Sequence, residues 1–205
     1  MNSQRRISVV LFDGFELLDV FGPVELFSME PERIAVEFIG PQAGPVRSAQ
    51  GVEVVAPVGY AQAGAPDIVM VPGGGGTRPL AGDRTFLEWL GAWAGPADLV
   101  ASVCTGSALL AAAGLLDGYR ATSNKMAFRW AGEHGPSTRW VAQARWVHDR
   151  DRWTSSGVAA GMDMAAALMA SLLGDDAAEQ AATAIELEVH KDPDWDPFAA
   201  IHGLV

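Results

Sequence analysis

The chain has 205 residues, 14 Lys+Arg against 25 Asp+Glu and a formal net charge of −11. With 49% hydrophobic and 19% charged residues it can fill a core, which excludes a disordered chain, and its mass corresponds to about 9,200 Å² of folded surface. The acidic balance excludes tracking of a nucleic-acid backbone, which needs clustered Lys and Arg.

The single cysteine, Cys104, excludes an internal disulfide and fits a reducing compartment. Arg5-Arg6 followed by Ile7–Phe12 is too short for a signal peptide, because Asp13 ends the apolar run. The uncharged run Leu99–Leu116 is 18 residues long but holds Ser102, Thr105, Gly106 and Ser107 at its centre, so it reads as strand–turn–helix and not as a membrane span. The expectation is one cytoplasmic domain over residues 1–205, with a small-molecule substrate and with neither nucleic acid nor membrane as partner.

In chain order, Ile7–Phe12 has the continuous apolar, β-branched pattern of a strand buried on both faces. Asp13-Gly14 turns, and Leu17, Leu18, Phe21, Val24, Leu26 and Phe27 recur at helical spacing, with Pro23 limiting where that helix can start. Ile34–Ile39 and Val52–Val55 read as strands, and Pro41–Pro45 as a loop. Ile68–Val71 is a strand followed at once by Pro72–Gly76. Phe86–Trp93 reads as a helix, Leu99–Val103 as a strand and Ser107–Leu116 as a helix. A helix around Met126–Ala131, strands near Arg145–Val147 and Trp153–Thr154, and helices Met162–Leu173 and Ala177–Val189 complete the pattern. Apolar strands alternating with helices predict an α/β fold with a mostly parallel sheet covered on both faces.

Chemistry concentrates at two strand ends. Cys104 falls on the tight turn between a buried strand and a helix, at the carboxyl end of the sheet where ligands bind in open α/β folds. A helix N-terminus there lowers a cysteine pKa, and Thr105 in the first turn can turn its N–H and hydroxyl to a ligand. Lone cysteines are otherwise usually small buried hydrophobes. Pro72–Gly76 lets backbone N–H groups approach a ligand closely, yet it matches neither a Walker loop nor GxGxxG, and a flexible turn reads equally well. Together the two strand ends suggest a thiolate with an anion hole. Behind the first strand, Glu16 or Asp19 can reach a neighbouring strand end as acid or base, though helix N-terminal acids also arise from the dipole alone.

The segments FDGFELLDVFGPVE, DIVMVPGGGG, SVCTGSALLAAAGLLDGYRATSNK, WTSSGVAAGMDMA and DPDWDPF resemble the ThiJ/PfpI superfamily, more narrowly its isonitrile hydratase-like, AraC-associated branch, over about residues 7–198. The resemblance implies a flavodoxin-like sandwich of class-I glutamine-amidotransferase type, a homodimer, no cofactor and no metal. It assigns Cys104 as nucleophile, Asp19 as acid/base with Glu16 as the alternative, Thr105 as the residue after the nucleophile, and Gly74 and Thr105 N–H groups as the anion hole. The implied reaction hydrates an isonitrile to an N-substituted formamide through a Cys104 thiolate beside a protonated Asp19. The alternatives are another cysteine chemistry, such as amide hydrolysis or glyoxal handling, and a non-enzymatic redox or ligand sensor. Many relatives carry a histidine after the Arg-Ala-Thr segment. Here Arg120-Ala121-Thr122 leads into Ser123-Asn124-Lys125, and His134, His148, His190 and His202 are not beside that strand end. That argues against a Cys–His dyad.

Lesser features read structurally. His148-Asp149-Arg150-Asp151 reads as a hairpin turn and not as a metal site. The seven tryptophans read as packing and interface residues, Asp163 as a helix-start acid, and Asp192–Phe198 as a closing loop near the site or interface.

Overall fold

The computed structural model describes residues 4–205. Strand β1 (Arg5–Val10) leads into α1 (Leu17–Phe27), then β2 (Ile34–Gly40), β3 (Gly44–Arg47), β4 (Glu53–Ala56), β5 (Val58–Gly59) and a 3-10 turn. There follow β6 (Ile68–Val71), α2 (Thr77–Leu80), α3 (Arg84–Ala94), β7 (Leu99–Ser102), α4 (Gly106–Ala112), β8 (Arg120–Ala121), α5 (Phe128–Glu133) and β9 (Arg139–Trp140). The chain closes with β10 (Trp146–Asp149), β11 (Arg152–Ser155), α6 (Ala160–Leu173), α7 (Asp175–Ala184) and α8 (Phe198–Ile201).

Seven strands form the central sheet in the order β10-β11-β7-β6-β1-β2-β5, parallel except for the β10–β11 hairpin. Every residue of β6 and β7 is buried, as their unbroken apolar runs require of central strands. Helices α1, α6 and α7 pack on one another as one layer, while α2, α3 and α5 gather around α4 as the other. The register places Val71 of β6 opposite Ser102 of β7, and Ser102 opposite Thr154 of β11. The carboxyl ends of β1, β6, β7 and β11 therefore open onto one edge. The chain exposes 9146 Å², close to the area its mass dictates. Among the described residues no helix is long and apolar enough to cross a membrane.

Four local expectations are corrected. The stretch read as a loop at Pro41–Pro45 runs into β3, which pairs antiparallel with β4 outside the main sheet. An edge strand tolerates Gly44 and Pro45, which mask it in sequence. Pro23 does not delay α1 but lies inside it. It brings no N–H to the Asp19 carbonyl four residues earlier. Helix α4 stops at Ala112, not Leu116, because Gly114 (φ +77°) closes it: Gly114 N–H bonds Ala111 O at 3.0 Å and Leu115 N–H bonds Leu110 O at 2.9 Å. Helix α7 ends at Ala184, not Val189. Glu186 turns to φ +53°, and Ile185, Leu187 and Val189 pack on the core with the two-residue period of extended chain.

The β10–β11 turn at Arg150-Asp151 is the expected hairpin, with His148 stacked on Trp153. Asp163 does sit in the first turn of α6, but it does more than cap. Its Oδ2 accepts from Arg145 Nε at 2.7 Å and its Oδ1 from His190 N–H at 2.8 Å, with both charged side chains largely buried. It thus ties the chain ahead of β10 and the tail after α7 to one carboxylate. Asp163→Ala leaves Arg145 buried without its counter-charge, and we expect a loss of about 3 kcal/mol or more in denaturant unfolding.

Candidate active site

Cys104 stands between β7 and α4 at φ +57°, a conformation that costs a residue with a side chain about 1–3 kcal/mol. Its N–H donates to Ser156 O at 2.9 Å, and its carbonyl accepts from Ser107 Oγ and Ser123 Oγ, each at 3.1 Å. Val103 N–H bonds Val71 O at 3.0 Å, so the elbow is pinned to the neighbouring strand ends on both sides. Gly106 makes the turn possible, since a Cβ there would lie 2.1 Å from Val71 O. This is a strand–elbow–helix turn with the cysteine at its apex.

Asp19 is wholly buried on α1. Its Oδ2 accepts from Gly73 N–H at 2.8 Å, its Oδ1 has no hydrogen-bond partner among the described residues, and the carboxyl group feels the Cys104 thiol. Glu16 behaves differently. Its N–H bonds Gly73 O at 2.8 Å, but its carboxylate turns out to Gln50 Nε2. Asp19, not Glu16, thus shares the buried space with the sulfur.

Thr105 completes the group. Gly74 N–H donates to Thr105 Oγ1 at 3.1 Å, Thr77 Oγ1 lies 3.1 Å from the same oxygen, and Thr77 Oγ1 donates to Gly74 O at 2.7 Å. A hydroxyl has one proton, so that of Thr105 is left for the Thr77 oxygen or for the Cys104 sulfur, towards which the Thr105 N–H is also directed. The expected free Gly74 N–H is therefore engaged by the Thr105 hydroxyl.

The glycine that sequence reasoning passed over is Gly73. A Cβ there would sit 2.6 Å from Thr105 N and Oγ1 and 2.8 Å from Cys104 Cβ. The first glycine of the run thus supplies both a close approach and the N–H that holds Asp19. Asn124, noted earlier only for not being histidine, reaches the Cys104 thiol from the other side. Its Oδ1 accepts from Ala127 N–H at 3.1 Å, which leaves Nδ2 for the site.

Burial sets the electrostatics. It pushes Asp19 up to about 7, helped by the Glu16 charge and opposed by the Gly73 N–H and the thiol. Burial first, and then the Asp19 charge, also push the Cys104 thiol up, against the pull of Thr105 and Asn124. This direction is opposite to the lowered thiol pKa expected of a helix N-terminus: α4 spans only seven residues, and burial is the larger influence on the thiol. The pair keeps at least one proton at neutral pH, and two adjacent charges in this space are excluded.

No histidine joins the pair. His202, however, from the far end of the chain, lines a cavity with Asn124 and Ser156, a placement that spacing along the sequence does not reveal. The same cavity is bordered by Asp196 and Phe198, so the Asp192–Phe198 segment does lie near the site. Among the described residues no group of three or more His, Cys, Asp and Glu side chains is placed to hold a metal ion.

A parallel sheet with helices around it and a cysteine elbow at its carboxyl edge defines a class that comparison makes specific. The chain belongs to the DJ-1/PfpI family, whose pattern matches residues 5–171. It is 33% identical to the isonitrile hydratase of Pseudomonas putida over 193 residues, 93% of this chain and 81% of that one. It is also 33% identical over 183 residues to the HTH-type transcriptional regulator GbdR of Pseudomonas aeruginosa, covering 84% of this chain and 48% of the regulator. A ThiJ/PfpI family protein from Pseudomonas syringae superposes with a TM-score of 0.82 at 29% identity, over 91% of this chain and 76% of that chain.

Two outcomes test the site's construction. Gly73→Ala forces apart Thr105, Cys104 and the Asp19 anchor, so alkylation of Cys104 by iodoacetamide should change by about tenfold or more while circular dichroism still reports the fold. Asp19 has a folded-state pKa of about 7 against an ordinary 3.8, so the folded state binds more protons between those values. Stability therefore falls as pH rises through that window. Asp19→Asn keeps the acceptor for Gly73 N–H and should match wild type near pH 4, then exceed it above pH 7 by up to about 4 kcal/mol in thermal or denaturant unfolding.

Proposed function

We propose that the protein is an isonitrile hydratase-like enzyme that adds water to an isonitrile and releases an N-substituted formamide. The observation that carries this reading is a cysteine elbow facing a buried carboxyl group raised to about 7, with an amide where a Cys–His dyad would need an imidazole. An isonitrile carbon has no leaving group and accepts a nucleophile only as it gains a proton. A shared proton suits that demand better than a permanent thiolate.

In the proposed sequence, Asp19 takes the thiol proton as Cys104 Sγ bonds to the isonitrile carbon, then passes it to that carbon, giving R–N=CH–S–Cys. The carboxylate next takes a proton from water as the water oxygen adds to the same carbon, and returns it to nitrogen, giving R–NH–CH(OH)–S–Cys. Finally Asp19 accepts the hydroxyl proton, the C–S bond breaks, and the proton goes back to sulfur. The products are R–NH–CHO and the free thiol. The Thr105 N–H and hydroxyl orient substrate and water, and Gly74 serves the anion hole through the Thr105 hydroxyl it donates to. The 33% identity to an isonitrile hydratase supports the reading. We further infer a cytoplasmic homodimer; the half-exposed Leu18 and Phe21 of α1 support self-association.

A ligand-sensing role has support from the likeness to the regulator GbdR. Redox sensing has less, since a buried thiol with a raised pKa yields little of the thiolate that peroxide attacks. Formamide production from a panel of aryl and alkyl isonitriles separates these readings. Turnover is expected in wild type, none in Cys104→Ala, and a loss of about 10²-fold or more in Asp19→Asn, which cannot relay a proton. Because the first step needs the carboxylate as base, kcat/KM should rise with pH through about 7. No turnover of any isonitrile, or near-normal rates in Asp19→Asn, would overturn the assignment.

A further inference from the structure

Asp19 and Gly73 occupy the β6 and β1 side of the Cys104 sulfur. On the β11 side lies a cavity of about 350 Å³. Two of its residues touch the elbow: Asn124 reaches the thiol, and Ser156 accepts the Cys104 N–H. Asn124 and Ser156 thus link the elbow to this cavity.

We propose that this cavity is the subsite for the group attached to the reacting carbon, and that Phe198 and Met126 set the size of that group; the inference rests on Cys104 being the nucleophile, as proposed above. Met126, Val158 and Phe198 give the cavity apolar walls. Met126 is 79% exposed and Phe198 52% exposed, and they come from segments far apart in sequence to meet at one opening. Of the charged side chains at the cavity, Arg145 pairs with Asp163 and Lys125 Nζ donates to Thr122 Oγ1 at 2.7 Å and to Ala144 O, while Asp196 accepts Phe198 N–H through Oδ1 and leaves Oδ2 without a partner among the described residues. The unpartnered Asp196 oxygen disfavours an anionic group, and the apolar walls favour an aryl ring or a branched alkyl chain.

The Phe198 wall is fixed rather than a loose tail. Asp196 is buried, its Oδ1 accepts Phe198 N–H at 3.0 Å, and the Lys125 charge acts on it from the segment that also carries Asn124. Pro193 O accepts Arg145 N–H at 2.8 Å, a second tie a few residues earlier. Attraction between the Lys125 charge and Asp196 thus favours the C-terminal turn lying beside the segment that wraps the nucleophile, making both residues positioning groups for the wall.

The test compares alkylation of Cys104 by iodoacetamide and by N-phenyl iodoacetamide in the full chain, followed by mass spectrometry. We expect the phenyl reagent to react about tenfold faster, from burial of its ring. Phe198→Trp, which narrows the cavity, and Met126→Asp, which charges its mouth, should each bring the ratio of the two rates towards one. Lys125→Met should do the same by loosening the wall. A ratio near one in wild type, a ratio unmoved by both Phe198→Trp and Met126→Asp, or no alkylation of Cys104 by either reagent would overturn the proposal. The two side chains are exposed and lie on separate segments, so loss of folding in one variant leaves the other to decide. A ratio that behaves as expected in a protein that leaves isonitriles unchanged sustains the subsite and removes the hydration reading. Isonitrile turnover with an insensitive ratio does the reverse.

Discussion

Everything at the carboxyl edge of the sheet follows from holding Cys104 in a left-handed backbone conformation. A residue with a side chain adopts φ +57° only when its surroundings over-determine it. Here a hydrogen bond to Ser156 fixes the N–H and two serine hydroxyls fix the carbonyl, while the missing side chain of Gly106 lets the backbone cross Val71. The same contacts bring β6, β7 and β11 into register at their ends. The strain is thus carried by the most buried strands of the sheet, which are the part of the molecule least able to relax.

The second constraint is that the elbow faces a carboxyl group where both are buried, so that two charges there repel. Asp19 is held by one backbone N–H, from Gly73, and Cys104 is approached by neutral donors, Thr105 and Asn124. No cation compensates either group in the direct contacts of the pair. Burial therefore raises both protonation equilibria, and the proton becomes a shared possession of the pair rather than a property of either residue. A histidine at the Asn124 position would supply a cation and favour a permanent thiolate. An amide donates a hydrogen bond without taking the proton, which leaves the proton with the carboxyl group.

Sequence reading reached the parts of this arrangement that depend on local pattern. The apolar runs at Ile68–Val71 and Leu99–Val103 reported central strands because burial on both faces leaves no polar positions, and the abrupt change of period after Val103 located the elbow. It misplaced the ends of α4 and α7 because those ends are set by glycine and left-handed backbone turns and by core packing, not by hydrophobic period. It placed Asp19 beside the sulfur only through the family resemblance, and it expected a lowered thiol pKa because a helix N-terminus is visible in sequence, whereas the burial that raises the thiol is a tertiary fact. Gly73 was indistinguishable from its three glycine neighbours until the distance to Thr105 was known. His202 carries no sequence signal, since nothing local says that the last turn folds back beside Asn124, whereas Phe198 ends the Asp192–Phe198 segment read as closing near the site or interface.

The two sides of the sulfur divide the labour in a way the topology enforces. On the β1 and β6 side the groups are small and bonded to one another: Gly73 N–H to Asp19, Gly74 N–H to Thr105 Oγ1, and Thr77 Oγ1 beside the same oxygen. On the β11 side the walls come from Met126, Val158 and the C-terminal turn, all outside the central sheet and partly exposed. Substitutions there leave the elbow and the shared proton untouched, because none of those walls bonds to Cys104 or Asp19 except through Asn124. On the proposed reading, a fold built this way can change which substituent it accepts without altering how it moves the proton. The rigid half specifies the reaction, and the peripheral half specifies the molecule it is done to.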